Sequence, residues 1–128
     1  GGVDGKAVLF DAETDKIITS VEANHKRIND VEFYPSEDLV AFVTCGADNT
    51  ASFWIHNEGI KEKYRILNHT NQITSVSFHP LKEYALVGSK DNYWSFHNLF
   101  KGICLTKQKS EAEINTVKIH PDGKYIII

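Results

Sequence analysis

Hydrophobic and polar positions alternate in short runs along this chain, and one run occurs three times. It reads Ile28-Asn29-Asp30-Val31-Glu32-Phe33-Tyr34-Pro35, then Ile73-Thr74-Ser75-Val76-Ser77-Phe78-His79-Pro80, then Ile114-Asn115-Thr116-Val117-Lys118-Ile119-His120-Pro121, at offsets of 45 and 41 residues. Each copy is apolar-polar-polar-apolar-polar-apolar, followed by a ring and a proline. Period-two alternation rich in Val, Ile, Thr and aromatics predicts strands and sets solenoid helices aside. A proline just past a strand does no harm to the ladder, because its missing N–H falls outside it.

The remainder of the unit repeats as well. Asp4, Asp48 and Asp91 stand 44 and 43 residues apart, each in a short turn before a β-prone run. Six residues past them come Phe10, Trp54 and His97, and upstream lie Asn24-His25 and Asn68-His69, 44 apart. A period of about 40–45 residues with four short strands is that of a propeller blade. The predicted strands a to d of one unit are 28–34, 39–45, 50–55 and 63–67, and those of the next are 73–79, 84–89, 93–98 and 103–107. Strands c and d of an earlier blade are expected at 6–11 and 16–22, and a further blade begins at 114–120. The expected fold is therefore all-β: a partial propeller of two complete blades, 23–67 and 68–107, flanked by part-blades 1–22 and 108–128. The chain reads as a segment cut at both ends of a larger ring.

These residues resemble the Gly-His … Asp … Trp-Asp pattern of WD repeats. That resemblance implies blades whose strands run outward from the propeller axis. The His of the d–a loop then bonds the Asp of the b–c turn, and its ring meets a Ser or Thr on strand b and the Trp on strand c. Carried over, the first complete blade supplies His25, Thr44, Asp48 and Trp54, with Asn24 for the usual Gly and Ile55 for the usual Asp. The second keeps His69 and Asp91, but Val87 stands where a hydroxyl is expected and His97 where Trp is. Its network is expected to be incomplete. No His lies near 110–113, so that loop must be held in another way.

A closer likeness rests on the Val8-Leu9-Phe10-Asp11 opening, on Asp91-Asn92-Tyr93-Trp94-Ser95-Phe96 and on the following Gly102-Ile103-Cys104-Leu105-Thr106-Lys107. This ordering resembles the propellers of the U-box ubiquitin ligases at the heart of the spliceosome's NineTeen Complex. In that family a U-box and a tetramerising coiled coil precede a seven-bladed propeller. The resemblance implies that ubiquitin transfer and oligomerisation belong to other parts of the parent. This segment would then recruit splicing components or ubiquitylation substrates in the nucleus, with the cytoplasm as the alternative.

Composition changes the picture little. A net charge of −3 argues against a general nucleic-acid surface, and direct RNA binding is not expected from Lys26-Arg27 alone. No run approaches the roughly 20 apolar residues of a membrane span. Cys45 and Cys104 read as buried free thiols in a reducing compartment. His79-Pro80 and His120-Pro121 read as turn residues, and no ligand spacing points to zinc or any other metal. Phosphate-binding loops and nucleophile motifs are missing, so neither a catalytic residue nor a cofactor is expected.

The expected function is protein binding by a rigid scaffold. Contact between His25 and Asp48 would place the d–a and b–c loops on one face. There Lys26, Arg27, Ala47 and Asn49 would gather, as would Thr70, Asn71, Lys90 and Asn92, and recognition tends to reside on such loops. The opposite face, with Ser36, Glu37, Leu81 and Lys82, is the alternative. A WD scaffold of another assembly, an enzymatic propeller and an RNA-binding propeller are the rival functions. Fold alone decides among none of them.

Overall fold

The computed structural model describes residues 2–23, 26–36, 38–81 and 83–128. Among them there is no helix, and the strands form four antiparallel sheets. The two central sheets are four-stranded meanders: β3 (Ile28–Phe33), β4 (Val40–Gly46), β5 (Ala51–His56) and β6 (Ile60–Ile66), then β7 (Ile73–Phe78), β8 (Tyr84–Ser89), β9 (Tyr93–Asn98) and β10 (Ile103–Lys109). A two-stranded sheet precedes them, β1 (Lys6–Asp11) with β2 (Lys16–Glu22), and another follows, β11 (Lys118–Ile119) with β12 (Ile126–Ile127). This is the partial propeller that the repeat predicts.

Three strands differ from expectation by more than one residue at an end. Strand β6 starts at Ile60, because Gly59, at a φ of 122°, turns the chain directly into it. Strand β10 runs on to Lys109. The predicted strand at 114–120 shrinks to the two residues of β11, since only Lys118 and Ile119 find a partner strand.

Both faces of a central sheet are covered, so its inner strands lose the usual alternation. All of β4 after Val40 is buried. Ala41, Val43 and Cys45 join Phe53, Ile66, Ile73, Val76, Ala85, Val87 and Leu99 in the core between the two complete blades. Phe42 and Trp54 instead pack with Ala7, Ala23 and Ile28, against β1 and β2. Leu86 meets Ile114 and Val117 on the far side of the second blade. Cys45 is buried as expected, and burial, with the charge of Asp30 adding to it, pushes its thiol up and keeps it protonated. Cys104 corrects the reading: it is a free thiol but an exposed one, because it lies on an outer strand.

Adjacent blades are also joined by polar ties that repeat with the blades. The pairing of β3 on β4 steps from Ile28↔Gly46 to Asp30↔Cys45, and that of β7 on β8 from Ile73↔Ser89 to Ser75↔Gly88. Asn29 and Thr74 are thus the extra residues of matching bulges, and a bulge re-aims the side chain it carries. Asn29 donates to the carbonyl of Ile73 (2.9 Å) and Thr74 to that of Ile114 (2.6 Å). The next residues accept: Asp30 takes the N–H of Val76 (3.1 Å), and Ser75 that of Val117 (3.2 Å). First strands lie at a sheet edge, where backbone N–H groups lack a ladder partner, and the preceding blade supplies one.

Candidate functional site

The b–c turns are built alike. Asn49 and Asn92 adopt φ of 70° and 72°, a left-handed conformation that Asn tolerates better than most residues. The Asp one residue earlier accepts from the backbone two residues on: Asp48 from Thr50 N (3.2 Å), Asp91 from Tyr93 N (2.9 Å), and likewise Asp4 from Lys6 N (3.1 Å). Backbone bonds then fasten each turn to the residue just before strand a of its own blade. Ala47 donates to the carbonyl of Arg27 and Lys90 to that of Gln72, both at 2.9 Å. The d–a and b–c loops therefore share one face. Thr70 reaches the same place through its N–H, 3.0 Å from Asp91 Oδ2, and Asn71 through its carbonyl, 3.1 Å from Ser89 Oγ.

In the first complete blade, Trp54 Nε1 donates to Thr44 Oγ1 at 3.0 Å, in a fully buried setting. Asp48 is half-buried and also holds the Thr50 hydroxyl at 2.8 Å. His25, expected to join Asp48 and Thr44, lies outside the described residues.

The expectation of an incomplete network in the second blade does not hold. His69 Nδ1 lies 2.9 Å from Asp91 Oδ2, and its Nε2 lies 2.8 Å from Ser95 Oγ. Ser95 Oγ lies 2.7 Å from His97 Nε2, and His97 Nδ1 lies 3.3 Å from the hydroxyl of Tyr64, on β6 of the preceding blade. The hydroxyl has crossed the sheet. Val87 and Ser95 are direct cross-strand partners, as Thr44 and Ser52 are in the first blade. Opposite residues of an antiparallel pair project to the same side, so a hydroxyl on either strand reaches the same ring.

Electrostatics gives this chain one direction. Burial lowers the pKa of His69 against the opposing pull of Asp91. Burial, with His69 nearby, lowers that of His97 to about 4. Both rings are therefore neutral at pH 7. Burial alone would raise the Asp91 carboxyl, but the N–H groups of Thr70 and Tyr93 and the His69 ring outweigh it, and Asp91 is held below the usual range. A carboxylate only accepts, so His69 donates from Nδ1 and accepts at Nε2 from the Ser95 hydroxyl. Ser95 accepts from His97 Nε2–H, and His97 Nδ1 accepts from Tyr64, whose phenol burial holds protonated.

The loop at 110–113, where no His stands, is held from elsewhere. Ser110 N bonds Asn92 O (2.6 Å), Ile114 N bonds Ser89 O (3.1 Å), and Ile114 and Val117 are buried against Leu86. His79, read as a turn residue, accepts from Leu81 N and lies 3.1 Å from the carbonyl of Gly123 in the next blade. Sequence reasoning missed Ser95, Tyr64, Gln72 and the bulge pairs. The last had a visible signal, a polar-polar pair at the same two places in all three repeats. The Asp91 carboxylate, the His69 and His97 rings and the Ser95 hydroxyl are engaged with one another inside the fold. Among the described residues no group of three or more His, Cys, Asp or Glu could hold a metal ion.

Successive four-stranded antiparallel meanders packed on one another, the second with an Asp–His–hydroxyl–ring chain, define a class, the propeller proteins. The family model "WD domain, G-beta repeat" matches residues 15–54 and 61–98, and the chain belongs to the WD-repeat family. Its sequence is similar to Pre-mRNA-processing factor 19 of Oryza sativa subsp. japonica, at 32% identity over 96% of this chain and 24% of that protein. The same holds for Pre-mRNA-processing factor 19 of Mus musculus, at 32% over 96% of the chain and 24% of the relative. The protein of that name in Dictyostelium discoideum is 25% identical over 98% of the chain and 26% of its own length. The chain thus spans about a quarter of the length of the relatives it matches.

Proposed function

We propose that this chain is part of the partner-binding propeller of a spliceosome-associated ubiquitin ligase acting in pre-mRNA processing in the nucleus. The observation that carries this reading is the likeness to pre-mRNA-processing factors along 96% of the chain, in proteins from plant and animal. In this reading residues 23–67 and 68–107 are blades, and 1–22 and 108–128 belong to their neighbours. Ubiquitin transfer and oligomerisation reside outside these 128 residues. The segment makes and breaks no bond. It holds splicing-complex components or substrates on the d–a/b–c face, through Lys26, Arg27, Ala47, Asn49, Thr70, Asn71, Lys90 and Asn92, with no metal or cofactor.

The mechanism is preorganisation. Loops pinned by Asp91, His69 and paired backbone bonds lose little freedom on binding, which removes much of the entropic cost of association. The test uses the full parent chain, with bulk introduced by Thr70→Trp and Asn71→Trp, both at exposed positions. These variants are expected to lose co-purification with spliceosomal complexes while Leu81→Trp on the opposite face retains it. Loss with Leu81→Trp alone moves the site to the other face. A parent chain that never associates with splicing complexes overturns the reading.

A further inference from the structure

The loop face carries a patch of cationic residues that make no ion pair among the described residues. Arg27 is exposed, and its guanidinium is aimed by two neutral amides: Nε lies 3.1 Å from Asn29 Oδ1, and an Nη 3.4 Å from Gln72 Oε1 of the next blade. Asn29 itself is fixed by its bond to Ile73 O, so the orienting group is rigid. The backbone bond from Lys90 N to Gln72 O sets a second cationic residue beside the same Gln72 that Arg27 meets, and Lys26 is the neighbour of Arg27 in sequence. Among the described residues, no carboxylate lies within ion-pairing distance of Lys26, Arg27 or Lys90.

The acids of these same loops are each engaged by neighbouring donors. The Asp91 side chain is 3% exposed and fully engaged, Asp48 Oδ1 holds the N–H and hydroxyl of Thr50, and Asp4 holds Lys6 N. A guanidinium oriented by neutral partners keeps both its charge and its remaining N–H groups for an incoming carboxylate, the geometry in which Arg binds most strongly. At the other end of this face the charge reverses. Exposed Glu111 and Glu113 follow Ser110, which is bonded to Asn92.

We propose that the Lys26–Arg27–Gln72–Lys90 patch is the docking site for a short acidic segment of a protein partner, with carboxylates over Arg27 and Lys90. The inference rests on the reading that this face binds partners, and it adds their chemistry. A nucleic-acid strand fits less well. Its charge repeats at every residue, so a strand laid along this face would carry phosphates past Glu111 and Glu113, whereas a peptide ends its acidic run where the patch ends. Tyr93, the aromatic beside the turn, has Lys107 Nζ over one face of its ring at 4.7 Å.

The test uses the full parent chain and a fluorescein-labelled twelve-residue peptide rich in Glu and Asp. Its Gln/Asn counterpart and a single-stranded RNA of equal length are the competitors. The acidic peptide is expected to bind, to weaken as salt rises, and to lose roughly tenfold in affinity with Arg27→Gln and again with Lys90→Glu. Lys101→Glu on the other face is expected to change nothing, and an unchanged melting temperature shows that each variant is folded. Equal binding of the neutral peptide, or no loss with the Arg27 and Lys90 variants, overturns the inference. RNA that binds more tightly than the peptide and competes with it also overturns it. If Thr70→Trp abolishes partner association while Arg27→Gln and Lys90→Glu leave it intact, the face stands and its acidic partner falls. If all of them leave it intact, both readings fall.

Discussion

At the scale of single residues, the replacement of an indole by His97 matters most. Trp54 has a single N–H, which it donates to Thr44 of its own blade, whereas His97 has a second ring nitrogen and reaches across to Tyr64. That extension makes the blade sensitive to acid. The pKa of His97 is about 4 in the folded state, below the ordinary value of 6.5. Above pH 6.5 the ring is neutral whether folded or not, and stability is unaffected. As pH falls from 6.5 to 4 the unfolded chain takes up the proton first, so folding stability declines, by about 3 kcal/mol in all from this ring. His69, also lowered, adds in the same direction. The urea midpoint of the closed parent propeller is expected to fall between pH 7 and pH 4.5, and the decline to be shallower in His97→Gln. An equally steep decline in that variant would mean that other groups set it.

At the scale of elements, strand b of the second blade shows how closely the sheets approach. A Cβ added at Gly88 would stand 2.5 Å from Ile114 Cγ2 and 2.7 Å from Val117 Cγ1, both on buried side chains. Gly88→Ala is therefore expected to destabilise the propeller by about 1–3 kcal/mol. Residues 110–117 should loosen first, read as faster amide exchange at Ile114 and Val117. Unchanged exchange there would show that the neighbour gives way without cost. The strands themselves were legible in the sequence, because a repeated period-two pattern bounded by Asp turns and Pro has few other solutions. The second blade's network was not. A repeat alignment compares Val87 with Thr44 along the strand, whereas the hydroxyl that meets the His69 ring comes from Ser95, the cross-strand partner of Val87. The shortness of β11 escaped for a related reason: Ile114 and Val117, which precede it, are buried by packing on Leu86, without strand pairing.

At the scale of the whole molecule, the two ends of the sheet series differ from the middle. Val8, Phe10 and Phe33 are 54%, 51% and 61% exposed at one end, and Tyr125 and Ile127 are 68% and 72% exposed at the other. Leu9 is buried and Ile119 half-buried. Each large apolar side chain left in water forgoes roughly 1.5–3 kcal/mol, against a net stability of about 5–15 kcal/mol for a domain. The 128-residue segment by itself is expected to self-associate or melt broadly, in contrast to the closed parent ring. Size-exclusion chromatography with a thermal melt checks this, and a monodisperse monomer with a sharp transition would refute it. The bulge ties carry a consequence for how such rings can be recombined. Asn29 and Asp30 complete Ile73 and Val76, and Thr74 and Ser75 complete Ile114 and Val117, always in the same direction around the disc. The unit that can be cut out and transplanted is therefore not the blade but the blade together with two residues of its predecessor. A chimera spliced at the blade boundary inherits a first strand whose edge was written for another neighbour.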